Sequence, residues 1–494
     1  MIENKAKLIN DLPDYVTDGP KKMQLEAYLV ALEGWRRGLK LTFYSRKIKP
    51  KGLKILDKTT EGRVFSLENE HGKKHFFYRS RGDLVSGEAV SICQNKEYTK
   101  KHLLDKKVSV PMGFEFNIKE ETINSVLNKA KKMVGFPLVL KPRSGSMGKG
   151  VIVNIKNENE LKRHLEDLKR KKGKYIRFII ETYIPGEEYR VYVVGDKVIG
   201  ATNRIPANVI GDGVQTISQL IDDKNKVRKN IPYLSYKPIK VDSSVKELLN
   251  QKGYSLDTVI PKGEQVFLRK VSNLSSGGDP LDETDNLTDE VKQIAVNALN
   301  AIPDLHQGGV DVIVDENDPK KGYVIEINAT AEVAFHHFPI KGKARHVSKA
   351  IVDYYFPETI GKEKTNLYFD YNSLLEPLQT WAAEEILVSK PPIGKLYGKK
   401  YTVAGKVRKV GYMHWIKRQA LRRNLLGFVN RAGTNRVDVL VISKDKEKVD
   451  QFIEQCKKGS KRSRVDQVEE QEVNVDTLQP LKYGFEVILK GRSN

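Results

Sequence analysis

Cysteine is nearly absent: the 494 residues hold two, Cys93 and Cys456. That excludes a disulfide framework and a cysteine-based zinc site. Long apolar runs are absent as well. No window of 18 residues is apolar throughout, so no membrane-spanning helix is expected. The start, Met1-Ile2-Glu3-Asn4-Lys5, has no apolar stretch behind it of the kind a signal peptide needs. A soluble protein of a reducing compartment, the cytoplasm, is expected. Internal repeats and low-complexity segments are missing too. Negative charge is scarce: 63 Asp plus Glu face 86 Lys plus Arg, a formal net charge of +23. That surplus calls for an anionic partner, whether nucleic acid, a membrane surface, an acidic polymer or phosphates. With 39% hydrophobic and 30% charged residues, wholesale disorder is excluded. The length suits about three domains.

The first 90 residues read as a small α/β unit. A helix is predicted over Leu25 to Arg37, stopped by Gly38, then a strand from Leu39 to Tyr44. A hairpin follows from Val64 to Tyr78, turning at Glu70-His71-Gly72. No chemical motif occurs there. From 91 to 357, strands such as Pro137–Lys141, Ile176–Glu181 and Arg190–Val194 alternate with polar helices such as Glu158–Arg170. The pattern is that of an α/β or α+β domain. Pro357, Pro377, Pro391 and Pro392 mark residues 358–394 as a linker into a last unit, 395–494.

The most informative segment runs Phe136-Pro-Leu-Val-Leu-Lys-Pro-Arg-Ser-Gly-Ser-Met-Gly-Lys-Gly-Val-Ile-Val153. It reads as strand, glycine loop, strand. Gly145, Gly148 and Gly150 let backbone amides approach an anion, and Lys141 adds a point charge. The loop lacks the ending of a P-loop. A strand follows it where a dinucleotide fingerprint needs a helix. Further on, Asp311 in Gly308-Gly-Val-Asp-Val-Ile-Val314 and Glu326 and Asn328 in Tyr323-Val-Ile-Glu-Ile-Asn328 alternate with β-branched residues. Residues i and i+2 of a strand share a face, so Glu326 and Asn328 point together and Asp311 meets them from the neighbouring strand. Three hard oxygen donors suit Mg²⁺, with Mn²⁺ as an alternative.

Two more segments give these pieces a context: Ile180-Glu-Thr-Tyr-Ile-Pro-Gly-Glu-Glu-Tyr-Arg-Val-Tyr-Val-Val194, and Ala201-Thr-Asn-Arg-Ile-Pro-Ala-Asn-Val-Ile-Gly-Asp-Gly213. With them, residues 91–357 resemble the ATP-grasp superfamily, most of all the ATP-grasp modules of cyanophycin synthetase and bifunctional glutathione synthetase. Residues 1–90 then take the place of a pre-ATP-grasp-like domain. The resemblance implies two α+β subdomains closing on ATP. Lys100, Lys141 and the loop residues Ser144, Gly145, Ser146, Met147, Gly148 and Gly150 would hold the nucleotide. Glu181 would sit at the adenine hinge, and Glu188 would accept from the ribose hydroxyls. Arg190 and Arg204 would face the γ-phosphate or the acyl phosphate. Asp311, Glu326 and Asn328 would hold magnesium. Ser272-Asn-Leu-Ser-Ser-Gly-Gly-Asp279 would be the substrate loop, with Asn273 in a catalytic role. His336 and His337 lie where related ligases place a histidine near the substrate. The implied reaction joins a carboxylate to an amine through an acyl phosphate, on amino-acid or peptide substrates, in a homo-oligomer. The P-loop half of cyanophycin synthetase and the cysteine-ligase half of glutathione synthetase have no counterpart, so their reactions are not implied.

Residues 397–490 resemble the acylphosphatase family through Gly405-Lys-Val-Arg-Lys-Val-Gly-Tyr-Met413, Leu425 to Val429, Val437-Asp-Val439 and Tyr483-Gly-Phe-Glu-Val487. A β-α-β-β-α-β ferredoxin-like sandwich is implied. The family's arginine is replaced by Met413 and its asparagine by Arg431, with Asn430 and Arg408 nearby. Met413 carries no charge and cannot fork to a phosphate, so an inactive domain used for binding or packing is expected. This unit is the most basic part of the chain: from Lys395 onward, 23 Lys plus Arg stand against 11 Asp plus Glu, a net of +12. Two other functions stay open. The tail could dock a protein or acidic polymer for modification, with nucleic acid a further anion it would suit. Alternatively, the chain binds nucleotide as a sensor without turnover.

Overall fold

A computed structural model describes residues 9, 12–143, 150–170 and 176–489. They divide into two units. One gathers Pro50–Leu56 and Phe77–Tyr354. The other gathers 12–49, Asp57–Phe76 and 355–489.

The first unit is mixed α/β. A four-stranded antiparallel sheet runs in the order Gly113–Asn117, Arg177–Thr182, Leu138–Pro142, Ile152–Ile155. Helices Ile123–Met133 and Glu158–Arg170 cover one face through Leu127, Ala130, Leu161 and Leu165. Thr122 caps the first of them by accepting from Ser125 N, which satisfies one of the free amides of a helix start. A five-stranded antiparallel sheet runs in the order Asp279–Asp282, Lys197–Ile205, Gly186–Val194, Gln307–Asp315, Asp318–Asn328. Its apolar face carries Val191, Val193, Ala201, Val310, Val312 and Ile327, in one core with helices Gly87–Gln94 and Asp289–Asn300. The alternation of these residues with Arg190, Tyr192, Asp311 and Glu326 sends the polar set to the opposite face. A smaller layer pairs Asn208–Ile210 with Gln265–Phe267 beside helix Ile217–Lys229. Thr216 and Gln219 close a reciprocal capping box at the start of that helix.

In the second unit, helix Met23–Arg36 is buried from Leu25 onward, as expected of a helix apolar nearly all round. Gly34 lies directly against Leu67, and a Cβ there would overlap the leucine methyls. Strand Lys40–Tyr44 pairs with Val64–Glu68 on one side and Glu385–Val388 on the other. The second of these pairings falls in the stretch read from the sequence as a linker. Within 358–394 the chain forms helix Asn372–Gln379 and that strand, and Leu367, Tyr368, Phe369, Tyr371, Leu374 and Leu378 are buried. The prolines that suggested a linker are accommodated, with Pro377 inside the helix. Of the described residues up to 90, Pro50–Leu56 and those from Phe77 on fall in the first unit, and 12–49 and Asp57–Phe76 in the second.

Residues 397–488 form the expected sandwich: strand Tyr397–Lys406, helix Tyr412–Arg422, strands Leu426–Arg431 and Arg436–Ser443, helix Lys446–Lys458, strand Arg464–Val473. A further strand, Phe485–Ile488, adds parallel to Leu426–Arg431. Val403, Val429, Val437, Val439, Ile416, Ala420, Val449 and Phe452 make its core.

Candidate active site

Three charged side chains converge on a cleft of about 530 Å³ in the first unit. Lys141 closes strand Leu138–Pro142, Glu181 lies on the adjoining strand Arg177–Thr182, and Lys100 comes from helix Lys96–Asp105. Asn95 starts that helix by accepting from Glu97 N and Tyr98 N. Lys100 Nζ stands 3.0 Å from Glu181 Oε1, and Lys141 Nζ pairs with Oε2. Burial pushes the Glu181 carboxyl up, but Lys141 and Lys100 together hold it below the usual carboxylate range. Two lysines on one carboxylate leave a net positive end to the cleft. Phe114, Ile179 and Ile327 supply apolar wall, and Glu326 lies on the same lining.

Glu326 links this cleft to a charged row across the five-stranded sheet. The register sets Glu326 opposite Asp311, Asp311 opposite Arg190, Arg190 opposite Thr202, and Thr202 opposite Asp282. Directly opposed residues of antiparallel strands project to one face. Asp311 is 2% exposed. Arg190 forks onto it, Nε to Oδ1 and Nη2 to Oδ2 at 2.7 Å, the strong bidentate geometry of guanidinium and carboxylate. Arg204 Nη2 is 3.4 Å from Asp311 Oδ2 and pairs with Glu188. Burial raises the Asp311 carboxyl, but Arg190 and Arg204 outweigh it and keep it below its ordinary value. Arg190 passes over Gly309, where a Cβ would meet its Cδ at 2.8 Å. At the far end Arg345 forks onto Asp282 at 2.9 and 2.7 Å.

Asn328 lies opposite Gly309. Among the described residues its Nδ2 is buried without a partner, and so is Arg204 Nε. Buried donors of this kind are rare unless a ligand completes them. Asp311, Glu326 and Asn328 are all hard oxygen donors on two paired strands, and that chemistry fits a magnesium ion. Among the described residues no group of three His, Cys, Asp or Glu could hold a metal, so any ion here would need Asn328.

The loop residues Ser144, Gly145, Ser146, Met147 and Gly148 lie outside the described residues. Gly150 has φ +77, and a Cβ on it would crowd Pro142 Cγ at 3.0 Å. Asn273 precedes the turn Leu274–Ser276, and its carbonyl accepts from Ser276 N and Gly278 N. Arg228, 1% exposed, holds this turn in place through Gly278 O and Asp279 while also donating to Lys237 O. His336 Nδ1 is 2.9 Å from Thr202 Oγ1. His337 Nε2 accepts from Ser348 N at 3.1 Å. Burial first, then nearby Arg190, holds the His336 imidazole far below its ordinary value, and burial brings His337 down to about 3. Sequence reasoning missed Tyr233, Lys237 and Glu332, which belong to loops without periodicity and touch only in the folded chain.

In the C-terminal sandwich, Met413 is buried in the core and Arg431 is exposed. Arg408 Nη1 donates to Gly433 O and Thr434 O at 3.1 and 3.0 Å, so its charge is turned to a backbone turn. Asn430 Oδ1 is buried without a partner among the described residues.

Residues 93–227 match the RimK-like ATP-grasp domain family. The chain carries an ATP-grasp domain. The acylphosphatase family matches residues 399–487, the second half of the expectation drawn from sequence. Over 279 residues the chain is 34% identical to cyanophycin synthetase of Synechocystis sp., covering 54% of this chain and 31% of that protein. Over 345 residues it is 28% identical to the glutathione biosynthesis bifunctional protein GshAB of Desulfotalea psychrophila, covering 69% and 42%. A solved bifunctional glutathione synthetase from Pasteurella multocida aligns with 62% of this chain and 41% of its own, at 26% identity and a TM-score of 0.49. The chain thus spans less than half the length of these relatives. Beyond the 93–227 match lie Asp311, Glu326 and Asn328, on the strands that complete the charged row beside the ATP-grasp match. Among the described residues no helix is long and apolar enough to cross a membrane.

Proposed function

We propose that the chain is an ATP-dependent carboxylate–amine ligase that joins amino-acid or peptide substrates through an acyl phosphate. The observation that carries this reading is the continuity of charge from the lysine pair on Glu181, along the cleft to Glu326, and on through Asp311 to Arg190 and Arg204. Such a track of fixed charges suits phosphoryl transfer, where positioning and electrostatics do nearly all the work.

A substrate carboxylate oxygen attacks the γ-phosphorus of ATP. The bond from that phosphorus to the bridging oxygen breaks, and ADP leaves with the electron pair. An amine nitrogen then attacks the acyl carbon, the carbon–oxygen bond to phosphate breaks, and inorganic phosphate leaves with a proton from the nitrogen. Lys100 and Lys141 hold nucleotide phosphates, and Arg190 and Arg204 stabilise the charge that builds on the transferring oxygens. Asp311, Glu326 and Asn328 would hold a magnesium ion, which neutralises phosphate charge when bound. Glu188 and Asn273 take the ribose and substrate-loop roles that the family resemblance implies.

The test is a screen of amino acids and dipeptides with ATP and hydroxylamine. A hydroxamate identifies the carboxylate donor. Nucleotide binding without hydroxamate or ADP across the whole panel would overturn the reading in favour of a nucleotide sensor.

A second proposal concerns the basic tail. Lys406, Arg436 and Arg464 line one depression of about 550 Å³ together with Asp466, in the unit whose net charge is +12. We propose that it docks an acidic chain. Poly-aspartate should bind the full-length protein in 50 mM salt (roughly a 14 Å screening length), and K406E/R436E should release it. Equal binding by that variant would refute the docking role.

A further inference from the structure

Four residues past Asn328 stands a carboxylate that the chemistry above leaves unused. Glu332 belongs to the loop between strand Asp318–Asn328 and the short helix Ala334–His337. Tyr233 donates its hydroxyl to Glu332 Oε2, and Lys237 Nζ is 3.5 Å from the same oxygen. Lys237 also lies 3.5 Å from the centroid of the Tyr233 ring, and that ring packs edge-on against Phe335 at 5.7 Å. The carboxylate is therefore gripped by one oxygen. Oε1 has no hydrogen-bond partner among the described residues, and the side chain is 37% exposed.

Its location matters more than its exposure. The preceding residue, Ala331, lies beside Arg190: a Cβ added at Gly309 would meet Ala331 Cβ at 2.7 Å and Arg190 Cδ at 2.8 Å. Ser80 Oγ fixes that stretch by donating to Ala331 O at 3.2 Å. Burial pushes the Glu332 carboxyl up, but Lys237, the Tyr233 bond, Arg79 and Arg190 outweigh it and keep it ionised. A negative oxygen without a hydrogen-bond partner among the described residues, in a residue adjoining Ala331 and Arg190, repels phosphate and carboxylate groups. The group it attracts is a cation. At neutral pH a free α-amine, with a pKa of about 7.7–8.0, enters largely as ammonium.

We propose that Glu332, positioned by Tyr233 and Lys237, binds the ammonium group of the amine substrate, so that the acceptor is a charged primary amine. This rests on the ligase reading. The bound ammonium loses one proton to solvent to give the free amine. The nitrogen lone pair then attacks the acyl carbon, the carbon–oxygen bond breaks with its electrons going to phosphate, and the second nitrogen proton leaves with the phosphate.

The test compares two nucleophiles on the full-length protein with ATP, Mg²⁺ and a carboxylate donor that gives hydroxamate. Hydroxylamine is neutral at pH 7.5, whereas methylamine is a cation. In E332Q the ratio of kcat/KM for methylamine to kcat/KM for hydroxylamine should fall at least tenfold, and E332D should restore part of it. Y233F, which keeps the carboxylate but loosens its hold, should move the ratio in the same direction. A smaller fall in E332Q, or a wild type that takes hydroxylamine and rejects methylamine, overturns the inference and leaves the ligase reading standing. Absence of hydroxamate in the wild type overturns both.

Discussion

Asp311 is the residue whose loss should be felt most. Replacing it with Asn keeps the shape and removes the charge that both Arg190 and Arg204 face. Asp311 is 2% exposed, so water cannot substitute for it. Removing one partner of a buried ion pair costs about 3–5 kcal/mol, because the other charge is left uncompensated. For a domain of this size that is a fall in Tm of about 6–20 °C. The stability effect can be separated from function with R190Q and the double variant D311N/R190Q. If the fork is the interaction lost, the double variant should be less destabilised than the two single effects added, by about 1–3 kcal/mol. Urea unfolding gives these energies. On the well-folded fraction at low temperature, ADP release dependent on amine should fall at least ~10²-fold in D311N, the size expected when preorganised charge is removed from a reaction centre. A D311N protein that melts within about 2 °C of wild type and turns over normally would refute the reasoning.

Other outcomes follow from the same geometry. K141M removes one of the two cations on Glu181, and the KM for ATP should rise at least tenfold, read by initial rates; an unchanged KM would rule Lys141 out as a phosphate ligand. G309A should lower turnover without changing nucleotide affinity, since its methyl would press on Arg190 and Ala331; equal kcat would mean that Arg190 need not be held so closely. His337 is neutral in the fold because burial brings it to about 3, while the unfolded chain takes up a proton below the ordinary 6.5. Its stabilising contribution is complete above pH 6.5 and is lost as pH falls toward 3. Wild type should lose about 2 kcal/mol more than H337L between pH 7 and pH 5, measured by urea unfolding; parallel curves would refute this. Benzoyl phosphate should survive incubation with the full chain, since Met413 is buried and Arg408 is engaged by backbone; robust hydrolysis would refute the inactive sandwich.

Much of the first unit was legible in the sequence. The helix over Glu158–Arg170 and the strand pair bearing Asp311, Glu326 and Asn328 have clean periods, and the structure keeps them. Lys100, Lys141 and Glu181 could be named, but their mutual grip could not, because it joins a helix and two strands far apart in sequence. The role of residues 358–394 was hidden by prolines, which signal turns locally while long-range packing buries Leu367 to Phe369 and Leu378 regardless. Glu332 was hidden for another reason. Its significance is a matter of which oxygen is free, and no spacing rule encodes that.

The pairing of Lys40–Tyr44 with Glu385–Val388 also sets an order of events during synthesis. Trp35 Nε1 donates to Ser389 O, a partner 354 positions away. At about 5–20 residues per second, the buried helix Met23–Arg36 waits tens of seconds for the strand and aromatic residues that cover it. For that interval its apolar surface is open to chaperones and proteases, while the first unit, completed earlier, can already close. A translation stalled before residue 385 should therefore yield a nascent chain with a folded Phe77–Tyr354 body and a protease-sensitive N-terminal segment, whose protection arrives only once Glu385–Val388 has been made.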